Sequence, residues 1–167
     1  MGSLEDRVTA LEARVAELTE QRAAAPPPTA AADTFWALDG LKRRLPEGHP
    51  GAVLYTGTVD LGEGERYDWQ YGLPVDDVLA EDWTEAAPML TALAHPVRLR
   101  LLREILGGRR GTAELAGIEE LGTTGQLHHH LRQLTAAGWL RSAGRGRYAV
   151  PAERVVPLLA ILTAARR

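Results

Sequence analysis

Three consecutive prolines, Pro26, Pro27 and Pro28, set the first limit on what this chain of 167 residues can fold into. Proline has no backbone donor and clashes with the carbonyl four residues back, so no helix runs through them. They sit in the Ala-rich stretch 23–32, which reads as an Ala/Pro linker. Whatever precedes the prolines therefore forms an element separate from whatever follows.

Before them, Leu4, Val8, Leu11, Val15 and Leu18 alternate spacings of four and three, the a/d pattern of a coiled coil. Taking the leucines as d and the valines as a places β-branched residues at a, the combination that favours parallel dimers. Ser3 and Asp6 resemble a capping box at the start. Residues 1–22 are thus expected to form a coiled-coil helix joining a homodimer, the alternative being an amphipathic helix packed on its own domain.

The rest of the chain divides by charge. Residues 1–87 hold 7 Lys+Arg against 17 Asp+Glu, whereas residues 88–167 hold 12 Arg, no Lys and 5 Glu. The overall net charge of -3 hides this reversal. The basic half is a candidate polyanion binder, because duplex DNA carries about one charge per 1.7 Å of axis. Arginine also suits bidentate contacts to phosphate and guanine. The absence of cysteine removes disulfides, thiolate metal sites and cysteine nucleophiles. With no apolar run of about 18 residues and no signal-peptide pattern, the expectation is a cytoplasmic, nucleoid-associated protein with no membrane partner.

Residues 33–83 carry seven of the nine aromatic residues. Asp33 or Thr34 is positioned to cap a short helix presenting Phe35, Leu38 and Leu41. Val53 to Val59 and Arg66 to Tyr71 read as two strands joined by Gly62-Glu63-Gly64. On the second strand Tyr67, Trp69 and Tyr71 share one face, and Arg66, Asp68 and Gln70 the other. An isolated hairpin is marginal in water, so the aromatic face needs cover from the preceding helix, another subunit or a ligand. Trp36, Tyr55, Tyr67, Trp69, Tyr71 and Trp83 are the candidate site for a small-molecule effector or protein partner, with plain packing as the competing reading.

Residues 84–167 hold the densest signals. Pro88 to Ala94 and Val97 to Leu106 read as helices separated at His95-Pro96, with Val97, Leu101, Leu102 and Ile105 along one face. Thr112 to Ala116 forms the next helix, and Gly117 to Gly122 a turn. Thr123 with Gln126 makes a capping box for a helix whose Leu127, Leu131 and Leu134 line the buried stripe. Thr124, Gly125, His128, His129, Arg132 and Gln133 remain outside, a donor-rich face of the kind that base edges and phosphates require. Gly138 to Arg141 and Arg147 to Val150 then read as strands around Ala143-Gly144-Arg145-Gly146, a hairpin with arginine at its tip, or wing. Ala152 to Ala165 closes the chain as a helix bearing Val155, Val156, Leu159 and Leu162.

Leu93-Ala94-His95-Pro96-Val97-Arg98-Leu99-Arg100-Leu101-Leu102, the stretch from Thr123 to Leu134, and the exit Ala136-Ala137-Gly138-Trp139-Leu140 resemble the winged helix-turn-helix of ArsR-type bacterial transcriptional regulators. The resemblance covers about residues 88–165. It implies that the helix from Thr123 to Ala136 enters the major groove with Thr124, Gly125, His128, His129 and Arg132 towards DNA. It further implies that the following hairpin touches the backbone and that the flanking helices pair two subunits. Metal-sensing members carry cysteines in the helix matching Thr112 to Ala116, and none is present here.

Competing readings are weaker on physical grounds. Adjacent helical residues point about 100° apart, so His128, His129 and His130 do not converge on one metal ion. No metal or other cofactor is expected. Arg109 and Arg110 fit a phosphate contact and a solvated loop equally, and Arg98, Arg100 and Arg103 are expected on a solvated or dimer-facing side. Gly62-Glu63-Gly64 lacks the strand-to-helix setting of a dinucleotide loop, and no spacing suggests a nucleophile, so no enzyme is expected.

The sequence thus predicts a mainly α fold with small β elements (α+β): coiled-coil helix 1–22, linker 23–32, aromatic helix-and-hairpin segment 33–83, and winged helix-turn-helix 84–167. The predicted function is a sequence-specific, dimeric DNA-binding regulator. Its partner would be double-stranded DNA, met by Thr123, Thr124, Gly125, Gln126, His128, His129, Arg132, Gln133, Arg145 and Arg147. Leu4, Val8, Leu11, Val15, Leu18, Val155, Leu159 and Leu162 are the candidate dimerisation residues. The alternative is an architectural or adaptor DNA-binding protein that assembles through its coiled coil and aromatic hairpin.

Overall fold

The computed structural model describes residues 4–23, 34–62 and 64–166. The chain is of mixed α and β class and forms two compact units, Met1–Pro46 and Glu47–Arg167. The division falls inside the aromatic segment 33–83 and places the hairpin with the C-terminal helices. Among the described residues no helix is long and apolar enough to cross a membrane.

In the first unit, α1 (Leu4–Ala23) is one unbroken helix of 20 residues. Val8, Leu11 and Val15 are exposed along it. The linker beyond Ala23, the capping pair Ser3 and Asp6, and the side chains of Leu4 and Leu18 lie outside the described residues. The second helix, α2, spans Trp36–Lys42. Its N-cap is Phe35, with no side-chain cap hydrogen bond, rather than Asp33 or Thr34. Phe35, Trp36 and Leu38 are exposed along it.

The second unit opens with an antiparallel hairpin, β1 (Ala52–Asp60) and β2 (Arg66–Pro74). Its register pairs Tyr55 with Tyr71, Gly57 with Trp69 and Val59 with Tyr67, so these side chains share one face. The strands run somewhat longer than the aromatic alternation indicates. Part of this face, around Gly57, is covered by the C-terminal helix Ala152–Ala164, which packs across both strands, while Tyr71 stays exposed. Gly57 makes the close approach possible: a Cβ there would lie 2.8 Å from Val156 Cγ1. Neither the preceding helix, nor another subunit, nor a ligand is needed for this part of the face.

Six helices complete the unit: α3 (Val75–Ala80), α4 (Ala87–Leu93), α5 (Pro96–Leu106), α6 (Thr112–Ala116), α7 (Thr124–Ala136) and α8 (Ala152–Ala164). Helix α3 was not apparent in the sequence. A short 3-10 turn at Trp83–Ala86 precedes α4, with Asp82 accepting from Thr84 N at 2.9 Å. The core gathers Leu101, Leu102, Ile105, Leu115, Leu127, Leu131, Leu134, Trp139, Val155 and Leu158, all essentially without exposure. Each contributes about 1.5–3 kcal/mol of burial before entropy is set against it. Trp139 also donates from Nε1 to Met89 O at 3.0 Å, fastening the exit of α7 to α4.

The last hairpin is shorter than predicted, with β3 at Arg141–Ser142 and β4 at Tyr148–Ala149. Gly138 turns with φ 74°, and the amides of Trp139 and Leu140 both donate to Leu134 O. These amides satisfy the carbonyl end of α7 and are not free for a strand ladder.

Candidate nucleic-acid interface

Helix α7 begins on the reciprocal cap that its spacing predicts. Thr123 N donates to Gln126 Oε1 at 2.9 Å, and Gln126 N donates to Thr123 Oγ1 at 3.4 Å. Leu127, Leu131 and Leu134 are buried to 1% exposure or less. That anchorage fixes the helix's rotation and leaves Gly125, His128, His129 and Arg132 exposed away from the leucines, with Thr124 exposed at the first turn and Gln133 at the flank. A Cβ built on Gly125 would meet nothing within 4 Å, so the start of this face is open.

The loop between β3 and β4 is held to the body through its second strand. Thr112 N donates to Gly146 O at 2.8 Å and Tyr148 N to Arg110 O at 2.9 Å. Gly111 and Arg147 form an isolated antiparallel bridge. Arg141, Arg145 and Arg147 are exposed.

Ion pairing sorts the arginines of this half. Arg100 pairs with Glu104 and Glu120, Arg109 with Glu104, and Arg110 with Glu65. Both Arg110 terminal nitrogens reach Glu65, holding that carboxyl below its ordinary value through the hydrogen bonds and the guanidinium charge. Arg109 and Arg110 are therefore internally compensated. Arg132, Arg145 and Arg147 have no carboxylate partner among the described residues, and their charge faces solvent undiminished.

Arg98 corrects the sequence reading. It is neither solvated nor free for a partner but 8% exposed, donating from Nε to Ala92 O at 2.6 Å and from Nη2 to Thr91 O at 2.8 Å. Its Nη1 donates to Gln133 Oε1 at 2.5 Å, so the amide oxygen of Gln133 is engaged inside the protein. Arg98 thereby ties α4, α5 and α7 together. A signal for it existed: positions 98, 101, 102 and 105 are spaced i, i+3, i+4 and i+7, one helix face.

His130 is half-buried, its ring 4.7 Å from that of His95 and 5.7 Å from that of His129. Burial, and then the positive charges of His95, Arg98 and His129, push its imidazole below the ordinary value. Its Nδ1 is buried with no hydrogen-bond partner among the described residues. Among those residues no group of three or more His, Asp or Glu side chains could hold a metal ion.

The aromatic candidates are divided between the two units. Trp36 belongs to the first unit, and Trp83 is exposed on the 3-10 turn, donating from Nε1 to Val78 O at 2.7 Å. On the hairpin, Tyr55 and Tyr71 pair with ring centroids 5.9 Å apart, while Tyr67 packs on the core. Of the dimerisation candidates in the second unit, Val155 is fully buried within the chain and unavailable to a partner; Leu159 and Leu162 are half-buried. No protein-family model matches the chain, and no curated protein matches it.

Proposed function

We propose that this chain is a nucleoid-associated transcriptional regulator that binds duplex DNA as a homodimer, through a winged helix-turn-helix spanning residues 84–167. Helix α7 enters the major groove, the β3–β4 loop is the wing, and α1 pairs in parallel with α1 of a second copy. The observation that carries the reading is the seating of α7: three leucines held in the core leave Thr124, Gly125, His128, His129 and Arg132 exposed together. The uncompensated Arg145 and Arg147 on the following hairpin supply the charge that a phosphate contact needs.

The test is binding to duplexes selected from fragmented genomic DNA, with salt as a variable. Arg132→Ala should cost about 1–3 kcal/mol and relax preference at one base position. Arg145→Ala should weaken all duplexes alike and reduce the salt slope by about one unit. Leu4→Cys chains should crosslink under mild oxidation, whereas an antiparallel pairing would crosslink only mixtures with Leu18→Cys. Wild-type binding by both arginine variants, or selection that returns no enriched sequence, overturns the proposal.

A further inference from the structure

A second concave surface shares no residue with α7 or the β3–β4 loop. Helices α5 and α8, with Leu61 at the end of the hairpin, enclose an open groove of about 550 Å³. Leu102 and Leu158 in its lining are fully buried, and Leu99, Leu106, Leu159 and Leu162 are half-buried. That volume lies within the roughly 300–1,000 Å³ of small-molecule sites, which are concave and apolar with few polar groups.

Among the described residues, the charged side chains lining it are Arg100 and Arg103. They differ in one respect that decides the ligand. Arg100 is already paired with Glu104 and Glu120, whereas Arg103 is exposed and has no carboxylate partner among the described residues. Among the described residues no acidic side chain lines the groove. A leucine-walled cleft with one uncompensated guanidinium at its edge complements a molecule with an apolar body and a single negative end, and a guanidinium meets a carboxylate bidentately.

We propose that the α5–α8 groove binds a small amphipathic acid, an aliphatic or aryl-aliphatic carboxylate, with its hydrocarbon against the leucines and its carboxylate on Arg103. A second copy of the chain is the rival occupant. The experiment is titration calorimetry on the full chain without DNA, using sodium decanoate and 1-decanol below their aggregation limits, with sedimentation to follow oligomeric state.

Decanoate should bind once per chain and at least about ten-fold tighter than decanol, the equivalent of one charge-assisted contact. Arg103→Gln, a change at an exposed position, should remove that difference and leave decanol unchanged. Leu159→Trp should fill the groove and abolish both, with circular dichroism confirming that the fold persists. Equal affinity for acid and alcohol, or an Arg103→Gln chain that binds decanoate as wild type does, overturns the proposal. So does failure of decanoate to bind the wild-type chain, and if Leu159→Trp in that case also breaks a dimer, the groove is a subunit contact. With no DNA in the cell, these outcomes are independent of the nucleic-acid proposal.

Discussion

Replacing Gly57 with alanine adds one methyl group at the point where the hairpin meets α8. In a free strand the change should stabilise, because glycine in a strand interior costs about 0.5–1 kcal/mol relative to alanine. Here the new Cβ would lie 2.8 Å from Val156 Cγ1, well inside ordinary carbon–carbon contact at about 3.5–4.0 Å. Val156 is 3% exposed and β-branched in a helix, so its rotamer is strongly fixed and it has little room to yield. Overpacking of this kind costs about 1–3 kcal/mol, which outweighs the propensity gain and leaves Gly57→Ala destabilised by about 0.5–2 kcal/mol.

The companion variant Val156→Ala removes the obstructing methyl groups. Alone it should cost on the order of 2 kcal/mol in lost burial and cavity. In the double variant the alanine at 57 fills part of the space, so the two costs should fall short of additivity by about 0.5–3 kcal/mol. The assay is urea unfolding of all four chains, comparing midpoints at constant slope. A Gly57→Ala chain more stable than wild type, or strict additivity in the cycle, would refute the seating of the hairpin on α8.

Two further outcomes are expected. Arg98→Met keeps the aliphatic volume but removes three hydrogen bonds to Ala92 O, Thr91 O and Gln133; charge-assisted bonds are worth about 1.5–3 kcal/mol each, offset by no longer burying a cation, so urea unfolding should show a net loss of about 2–4 kcal/mol, and a loss under about 0.5 kcal/mol would refute the tie. His130 is held below its ordinary value of 6.5, so the unfolded chain binds its proton first as pH falls: its contribution is intact above about pH 6.5 and is lost on acidification towards the lower folded value, and His130→Leu should flatten that part of a stability-against-pH curve, while an unchanged slope would count against the assignment.

The helices of the C-terminal half were legible because each rests on local information. Thr123 and Gln126 mark the start of α7, the spacing of Leu127, Leu131 and Leu134 sets its buried side, and Gly107 and Gly138 follow the ends of α5 and α7. Helix α3 was missed because Val75 to Ala80 is too short to show a period. The expected strand at Gly138 to Leu140 failed because those amides had a nearer acceptor at the end of α7. The exposed face of α7 followed from its apolar stripe alone, which is why those candidate residues could be named without coordinates.

What the amino-acid sequence determined by itself is therefore the local and periodic: the caps, the helix faces, the alternation of the aromatic strand, and the reversal of charge along the chain. The tertiary structure decided which partner each face meets. The position of Arg98 on the core face of α5 could be counted from its spacing, but only three acceptors from α4 and α7, brought to it by packing, make a buried guanidinium tolerable there. Gly57 and Val156 are 99 residues apart in the sequence, so no local pattern records that one must be small for the other to fit. Compensation of Arg110 by Glu65, against Arg132 and Arg103, which meet no carboxylate among the described residues, is likewise set by long-range packing, since like residues in one chain differ only in which carboxylates the fold carries to them.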